Sequence, residues 1–205
     1  TISEGAIPLK LLYGELRIRD GQLDSPNLQA QMLNGNLTLS GNASSQRLAL
    51  KAQLDKILLT DLGVPLGQQT LSGNIATSGT LSEPGINLNV FTEVLSATGN
   101  IALGKRAKEG QPLTVSDLKL SARDGGAAKV NAKLVLGNEQ QIDARAELMN
   151  ANPQQFWPGA PAGKLNGLLT AKGVIAKAAS MQIDLTINNS QLSGEPLSGS
   201  AHGKL

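Results

Sequence analysis

The sequence predicts an all-β, antiparallel chain with one or two short helices. Three observations lead there. Apolar residues recur at every second position, turn-forming residues punctuate these runs at intervals of roughly 10–15 residues, and aromatics make up only 2% of the chain. A period of two is that of a strand with one face buried. Punctuation this frequent leaves no room for crossover helices, so consecutive strands are expected to pair as hairpins. With so few aromatics, an interior must be filled by Leu, Ile, Val and Ala, or left unfilled.

The strands follow in order. Leu16 and Ile18 alternate with Glu15, Arg17 and Arg19, and Leu28, Ala30 and Met32 with Gln29 and Gln31. Leu48, Leu50, Ala52 and Leu54 form the next run, and Ile86, Leu88 and Val90 another, separated by Asn87 and Asn89. Leu118, Leu120 and Ala122 precede the turn Asp124-Gly125-Gly126. Val130, Ala132, Leu134 and Leu136 precede Gly137-Asn138-Glu139, and both turns carry hairpin chemistry. Ile142, Ala144, Ala146 and Leu148 follow, and then Ile183, Leu185 and Ile187. Helical patterning is confined to two places. Leu54 to Leu62 can carry one short helix, and Asn152-Pro153 opens a capped turn stopped by Pro158-Gly159. Trp157, inside that turn, is expected to pack beside it and cap one end of a curved sheet.

Composition narrows the function. The net charge of +2 is too weak a field to argue for nucleic acid. The absence of Cys excludes disulfides, thiolate metal sites and thiol catalysis. His202 is the single histidine, in Gly199-Ser200-Ala201-His202-Gly203, and reads as a surface strand or turn residue rather than a catalytic base. No Walker loop, nucleophile elbow or zinc-protease motif is present, so no catalytic residue, metal or cofactor is expected. Asp20, Asp24, Asp143 and Glu147 are scattered on polar strand faces, and carbohydrate sites usually want the aromatic platforms that this chain lacks. Lys105-Arg106-Ala107-Lys108 reads as a solvated hairpin tip. No window approaches the ~20 apolar residues of a membrane-spanning helix, and no secretory leader is present. The chain reads as 1–205 of something longer.

Three segments share a Gly-x5-Gly frame: Gly35 to Gly41, Gly73 to Gly79 and Gly167 to Gly173. An alternating run follows each. The second and third frames are preceded by a helical candidate and a proline, Pro65 and Pro158. Residues of about 54–104 and 148–205 therefore read as two copies of one unit, offset by 94–95 residues, with a partial copy at 28–54. Such repeats imply units that lean on their neighbours.

The stretch Leu71-Ser72-Gly73-Asn74-Ile75-Ala76-Thr77-Ser78-Gly79-Thr80-Leu81-Ser82-Glu83-Pro84-Gly85-Ile86-Asn87-Leu88 resembles the repeat of TamB-type proteins in the AsmA-like group. So does Phe156-Trp157-Pro158-Gly159 running into Gly163-Lys164-Leu165-Asn166-Gly167. The second copy departs from the pattern, since Ala176-Lys177-Ala178-Ala179 lacks the proline at its join. The resemblance covers about 54–205. It implies the periplasmic portion of an inner-membrane-anchored bacterial protein whose elongated sheet curves into an apolar U-shaped groove, like a folded taco. It also implies a role in moving phospholipid toward the outer membrane or in outer-membrane protein assembly, with the barrel protein TamA as partner.

On this reading the groove lining is Leu48, Leu50, Ile86, Leu88, Val90, Val130, Leu134, Leu136, Ile142, Ile183, Leu185 and Ile187. Its cargo is expected to be phospholipid acyl chains or hydrophobic β-strand clients, carried passively. The same alternation is also compatible with an ordinary two-sheet core. A secreted β-helix or β-sandwich adhesin is the alternative, although a β-helix repeats every ~20–25 residues.

Overall fold

A computed structural model describes residues 9–32, 34–62, 69–137, 140–156, 159–175 and 180–204. The chain forms two compact units, Thr1–Glu93 and Val94–Leu205. The first contains β1 (Leu9–Arg19), β2 (Gln22–Met32), β3 (Gly35–Ala43), β4 (Leu48–Leu58), β5 (Thr70–Gly79) and β6 (Pro84–Phe91). The second contains β7 (Leu95–Leu103), β8 (Gln111–Ala122), β9 (Ala127–Leu136), β10 (Gln140–Ala151), β11 (Gly163–Ile175), β12 (Ser180–Leu192) and β13 (Glu195–Lys204). Within each unit every strand pairs antiparallel with the next in sequence. Each unit is thus an all-β meander, as the alternation predicts.

The turns follow from local chemistry. Asp20-Gly21 and Ser193-Gly194 place both central residues at positive φ, 48° and 71° in the first and 52° and 87° in the second. This is the twist that two-residue hairpins need. At Asp124-Gly125-Gly126 the Asp124 carboxylate accepts the Gly126 N–H at 3.2 Å. Lys105 to Lys108 lie exposed in the connection between β7 and β8.

Helix is scarcer than the sequence suggests. Within Leu54 to Leu62 only Leu59–Leu62 turns, as a 3-10 segment. Residues 54–58 stay in β4, because Leu54, Ile57 and Leu58 keep ladder partners in β5. Cross-strand pairing outweighs a helical pattern one turn long. The second turn, α1 (Pro153–Phe156), is capped as expected. The Asn152 side-chain oxygen accepts the Gln154 N–H at 3.3 Å and the Gly163 N–H at 3.2 Å, which ties the helix to the start of β11. Trp157 lies outside the described residues.

Extra residues interrupt the pairing of β2, β4, β8, β10 and β12. Four of these bulges carry a non-glycine residue at positive φ: Lys56 (52°), Asp117 (51°), Asn150 (48°) and Asn189 (46°). A left-handed residue of this kind costs roughly 1–2 kcal/mol, and a bulge also withdraws a backbone group from the ladder. Neighbouring side chains restore the lost bonds. The Lys56 N–H donates to Ser72 Oγ at 3.0 Å, Asp117 N–H to Asn131 Oδ1 at 2.9 Å, and Asn150 N–H to Asn166 Oδ1 at 2.8 Å. Asn166 also donates through Nδ2 to the Asn189 carbonyl at 3.0 Å. Two buried polar residues among those described, Ser25 and Ser190, are hydrogen-bonded beside bulges as well, through Glu15 O and Asn166.

Two of these sites are copies of one arrangement. A shift of 94 residues takes Lys56 to Asn150, its partner Ser72 to Asn166, and Gly73 to Gly167. The same shift takes the buried Ile57 to the buried Ala151 and the turn Leu59–Leu62 to Pro153–Phe156. The repeat therefore extends to backbone conformation and hydrogen bonding.

Among the described residues, no strand pair outside the sequential order makes a substantial backbone contact within a unit. Sequential antiparallel pairing of this kind is not that of a β-helix. Full burial is confined to a few residues, among them Ile57, Leu59, Ala128 and Ala151.

Two substitutions test this account. A Cβ on Gly73 (φ +134°) would lie 2.3 Å from the Asn89 carbonyl oxygen. Gly73→Ala should therefore cost at least about 2 kcal/mol in urea denaturation, whereas Gly203→Ala, with nothing within 4 Å, should change stability by under about 0.5 kcal/mol. Asn166→Ala removes the acceptor for Asn150 and the donor for Asn189, and should cost about 1–2 kcal/mol in the same assay.

Candidate functional site

Residues directly opposite across an antiparallel ladder share a face. In the first unit one row of partners runs Leu28, Leu39, Ala52, Ile75 and Leu88 through β2 to β6. Beside it Leu54 pairs with Leu37 and Gly73, and Gly73 with Val90. Leu48 pairs with Ala43, Leu50 with Gly41, and Ile86 with Thr77. Leu48, Leu50, Ile86, Leu88 and Val90 therefore lie on one face of this unit.

The second unit repeats the pattern across seven strands. Ile101, Val115, Ala132, Ala144, Ala171, Ile183 and Gly203 form one row. Val130, Ala146, Leu169, Leu185 and Ala201 form another, and Leu113, Leu134, Ile142, Gly173 and Met181 a third. Ile187 pairs with Gly167 and Gly199, and Leu136 with Gln111. Val130, Leu134, Leu136, Ile142, Ile183, Leu185 and Ile187 thus share one face of the second unit.

Most of these side chains are partly buried. Leu48 is buried, and Leu136 is 42% exposed. On the same face, at the β12–β13 edge, Leu185, Ile187 and Leu197 line a small apolar cavity of about 190 Å³.

The opposite faces are polar and differ between the units. In the second unit the face is ionic. Lys129 Nζ lies 2.9 Å from Asp117, Arg145 2.7 Å from Glu147, and Lys172 3.6 Å from Asp143. His202, on β13, contacts the Asp184 carboxylate through Nδ1. That bond, together with one from Gln182, holds Asp184 below the usual carboxylate range. The Gly126 N–H, with Gln155, does the same for Asp124. These pairs are exposed, and His202 remains a surface strand residue. Among the described residues no group of His, Asp or Glu is arranged to hold a metal. No helix among them is long and apolar enough to cross a membrane.

In the first unit the polar face carries the ion pair Arg17–Glu15 and also Lys51 and Asp55, but its central row is uncharged. Tyr13, Gln29, Thr38, Gln53, Asn74 and Asn89 form a continuous row through β1 to β6. The residues around it enclose an open cavity of about 700 Å³, bounded by Tyr13 on β1 and Phe91 on β6. A cavity of this size on the polar face is not foreseen by the sequence reading, which looks for a groove on the apolar side. Its signal is the placing of two aromatics, Tyr13 and Phe91, on a polar face.

No family model matches the chain, and neither does any curated protein or solved structure.

The carboxylates give a pH prediction. A carboxyl held below its unfolded value of about 3.9 stabilises the fold above that pH, and the contribution is lost as pH falls through the lowered native value. The melting temperature should be flat from pH 7 to about 5 and fall below about pH 4. Asp124→Asn and Asp184→Asn should each make that fall shallower in thermal scans across the range.

Proposed function

We propose that the apolar faces line a hydrophobic groove that carries phospholipid acyl chains passively between the inner and outer membranes. The observation that supports this most directly is the unbroken apolar row, present in both units and for the most part only partly buried. A closed domain of this length would cover such a face, because uncovered aliphatic surface costs about 25 cal/mol per Å². Leaving it open makes sense when a mobile apolar ligand supplies the cover. The lining is aliphatic and repetitive, so successive positions bind an acyl chain about equally well. A chain that buries ten methylenes gains about 8 kcal/mol, and moving it by one position changes that gain little. Headgroups stay in water at the groove mouth while the polar faces keep the sheet in solution. No residue does chemistry.

The resemblance to TamB-type proteins supports the same reading. It would place the chain in the periplasm as part of an inner-membrane-anchored protein that works with an outer-membrane barrel such as TamA.

A photo-crosslinking amino acid at Leu88 or Leu185 should capture phospholipid, detected by mass spectrometry, whereas the same probe at Asn87 on the polar face should not. Leu88→Asp should keep the β-type circular dichroism, since the face is not a closed core, and should abolish lipid capture at neighbouring positions. A desolvated, unpaired carboxylate costs several kcal/mol. Equal labelling at all three sites, or none in a folded protein, would remove the groove. Captured peptide in place of lipid would make the cargo a β-strand client.

A further inference from the structure

The polar cavity of the first unit is a second surface whose chemistry the apolar groove does not use. Its walls come from all six strands, from Tyr13 on β1 to Phe91 on β6. In a flat sheet these strands would be separated by five intervals, about 24 Å. The cavity therefore runs across the strand order of the whole unit. The cavity lies on the face where the alternation places polar residues, yet both ends carry an aromatic ring. Tyr13 is 52% exposed and Phe91 53% exposed. They are two of the four aromatic residues in the chain. In a chain this poor in aromatics, exposing both at the rims of one cavity forgoes the burial they would contribute to a core.

Between the rings lies the row Gln29, Thr38, Gln53 and Asn74. Each amide offers two donors and an acceptor, and the threonine offers one donor and two lone pairs. Tyr13 OH donates to Gln29 Oε1, and Gln29 Nε2 donates to Asn27 Oδ1 at 3.1 Å, so the first member of the row is held in place. Charge is balanced, with one carboxylate at Asp55 and one ammonium at Lys56 in the lining.

We propose that this cavity binds a neutral linear oligosaccharide. Sugar rings present apolar C–H faces that stack on exposed aromatic rings, and equatorial hydroxyls that both donate and accept. Aromatic rims and an uncharged amide–hydroxyl floor match both properties. The near-zero charge disfavours polyanions such as nucleic acid or sulfated glycan. An extended peptide fits less well. It would seek unpaired backbone N–H and C=O groups at a strand edge, and this floor is built from side chains of paired strands. The proposal does not rest on the lipid groove, which occupies the opposite face.

The test uses the full chain and three neutral probes, maltotetraose, cellotetraose and chitotetraose, followed by amide chemical shifts and calorimetry. At least one probe should shift the resonances of Gln29, Thr38, Gln53 and Asn74 while leaving Leu88 and Leu185 unmoved. Tyr13→Ala and Phe91→Ala should each weaken that binding at least tenfold. Tyr13→Phe, which keeps the stacking ring, should retain most of it, and Leu81→Ala, exposed outside the cavity, should leave it unchanged. All four variants are exposed positions and should keep the wild-type circular dichroism; if Tyr13→Ala unfolds, Phe91→Ala alone decides. No shift at millimolar concentration with any probe would overturn the proposal. So would binding that survives both alanine variants, or an Asn/Gln-rich peptide shifting the same resonances where the sugars do not.

Discussion

Each unit depends on the ladder of backbone hydrogen bonds between sequence-adjacent strands. In most β-proteins a second layer of side chains shares this task, and the packed core sets strand positions. Here, among the described residues, full burial is confined to a few positions. Register must therefore be fixed inside the sheet itself, and a slip of one residue would transfer every leucine of a strand to the polar face. Two local devices fix it: hairpin turns with left-handed residues at their tips, and bulges whose positions are pinned by side-chain bonds from the next strand.

The bulges link this constraint to the surfaces. A bulge increases local twist and bends its strand. In the second unit Asp117, Asn150 and Asn189 sit on the alternate strands β8, β10 and β12, which run in the same direction within that meander. Their effects therefore add instead of cancelling. A twisted sheet is a saddle, concave along one diagonal on each face. This allows the first unit to hold a cavity on its polar side while its other side remains a continuous aliphatic surface. Glycine serves the same geometry. Gly73 lies opposite the residue just before the Lys56 bulge, where the Asn89 carbonyl comes too close for any side chain.

The period of two made strands and faces legible. All twelve residues chosen from the alternation fall on the apolar face of their own unit, because pleating converts sequence parity directly into side. The cap at Asn152 was legible for a similar reason, since Asn-Pro carries its own local geometry. Other features depend on contacts distant in sequence. Asp117, Asn150 and Asn189 are residue types that tolerate left-handed backbone, but that tolerance marks a turn as readily as a bulge. Lys56 gives no such hint, and its conformation is legible only once Ser72 is known to lie opposite. The segment 54–58 was misjudged because its helical pattern is indistinguishable from a strand until a pairing partner is identified. The polar cavity was hidden by arithmetic: a chain-wide scarcity of aromatics said nothing about Tyr13 and Phe91 lining one cavity.

The sequential strand order has a kinetic consequence. Within each meander a strand closes against its predecessor over a connection of at most 11 residues, so little chain entropy is spent before each new ladder forms. Assembly can begin at any hairpin and extend strand by strand, as in other one-dimensional arrays. Disassembly follows the same path backwards. A force applied along the strand order would peel hairpins from one end, each with its own modest barrier, instead of meeting the single cooperative barrier of a packed core.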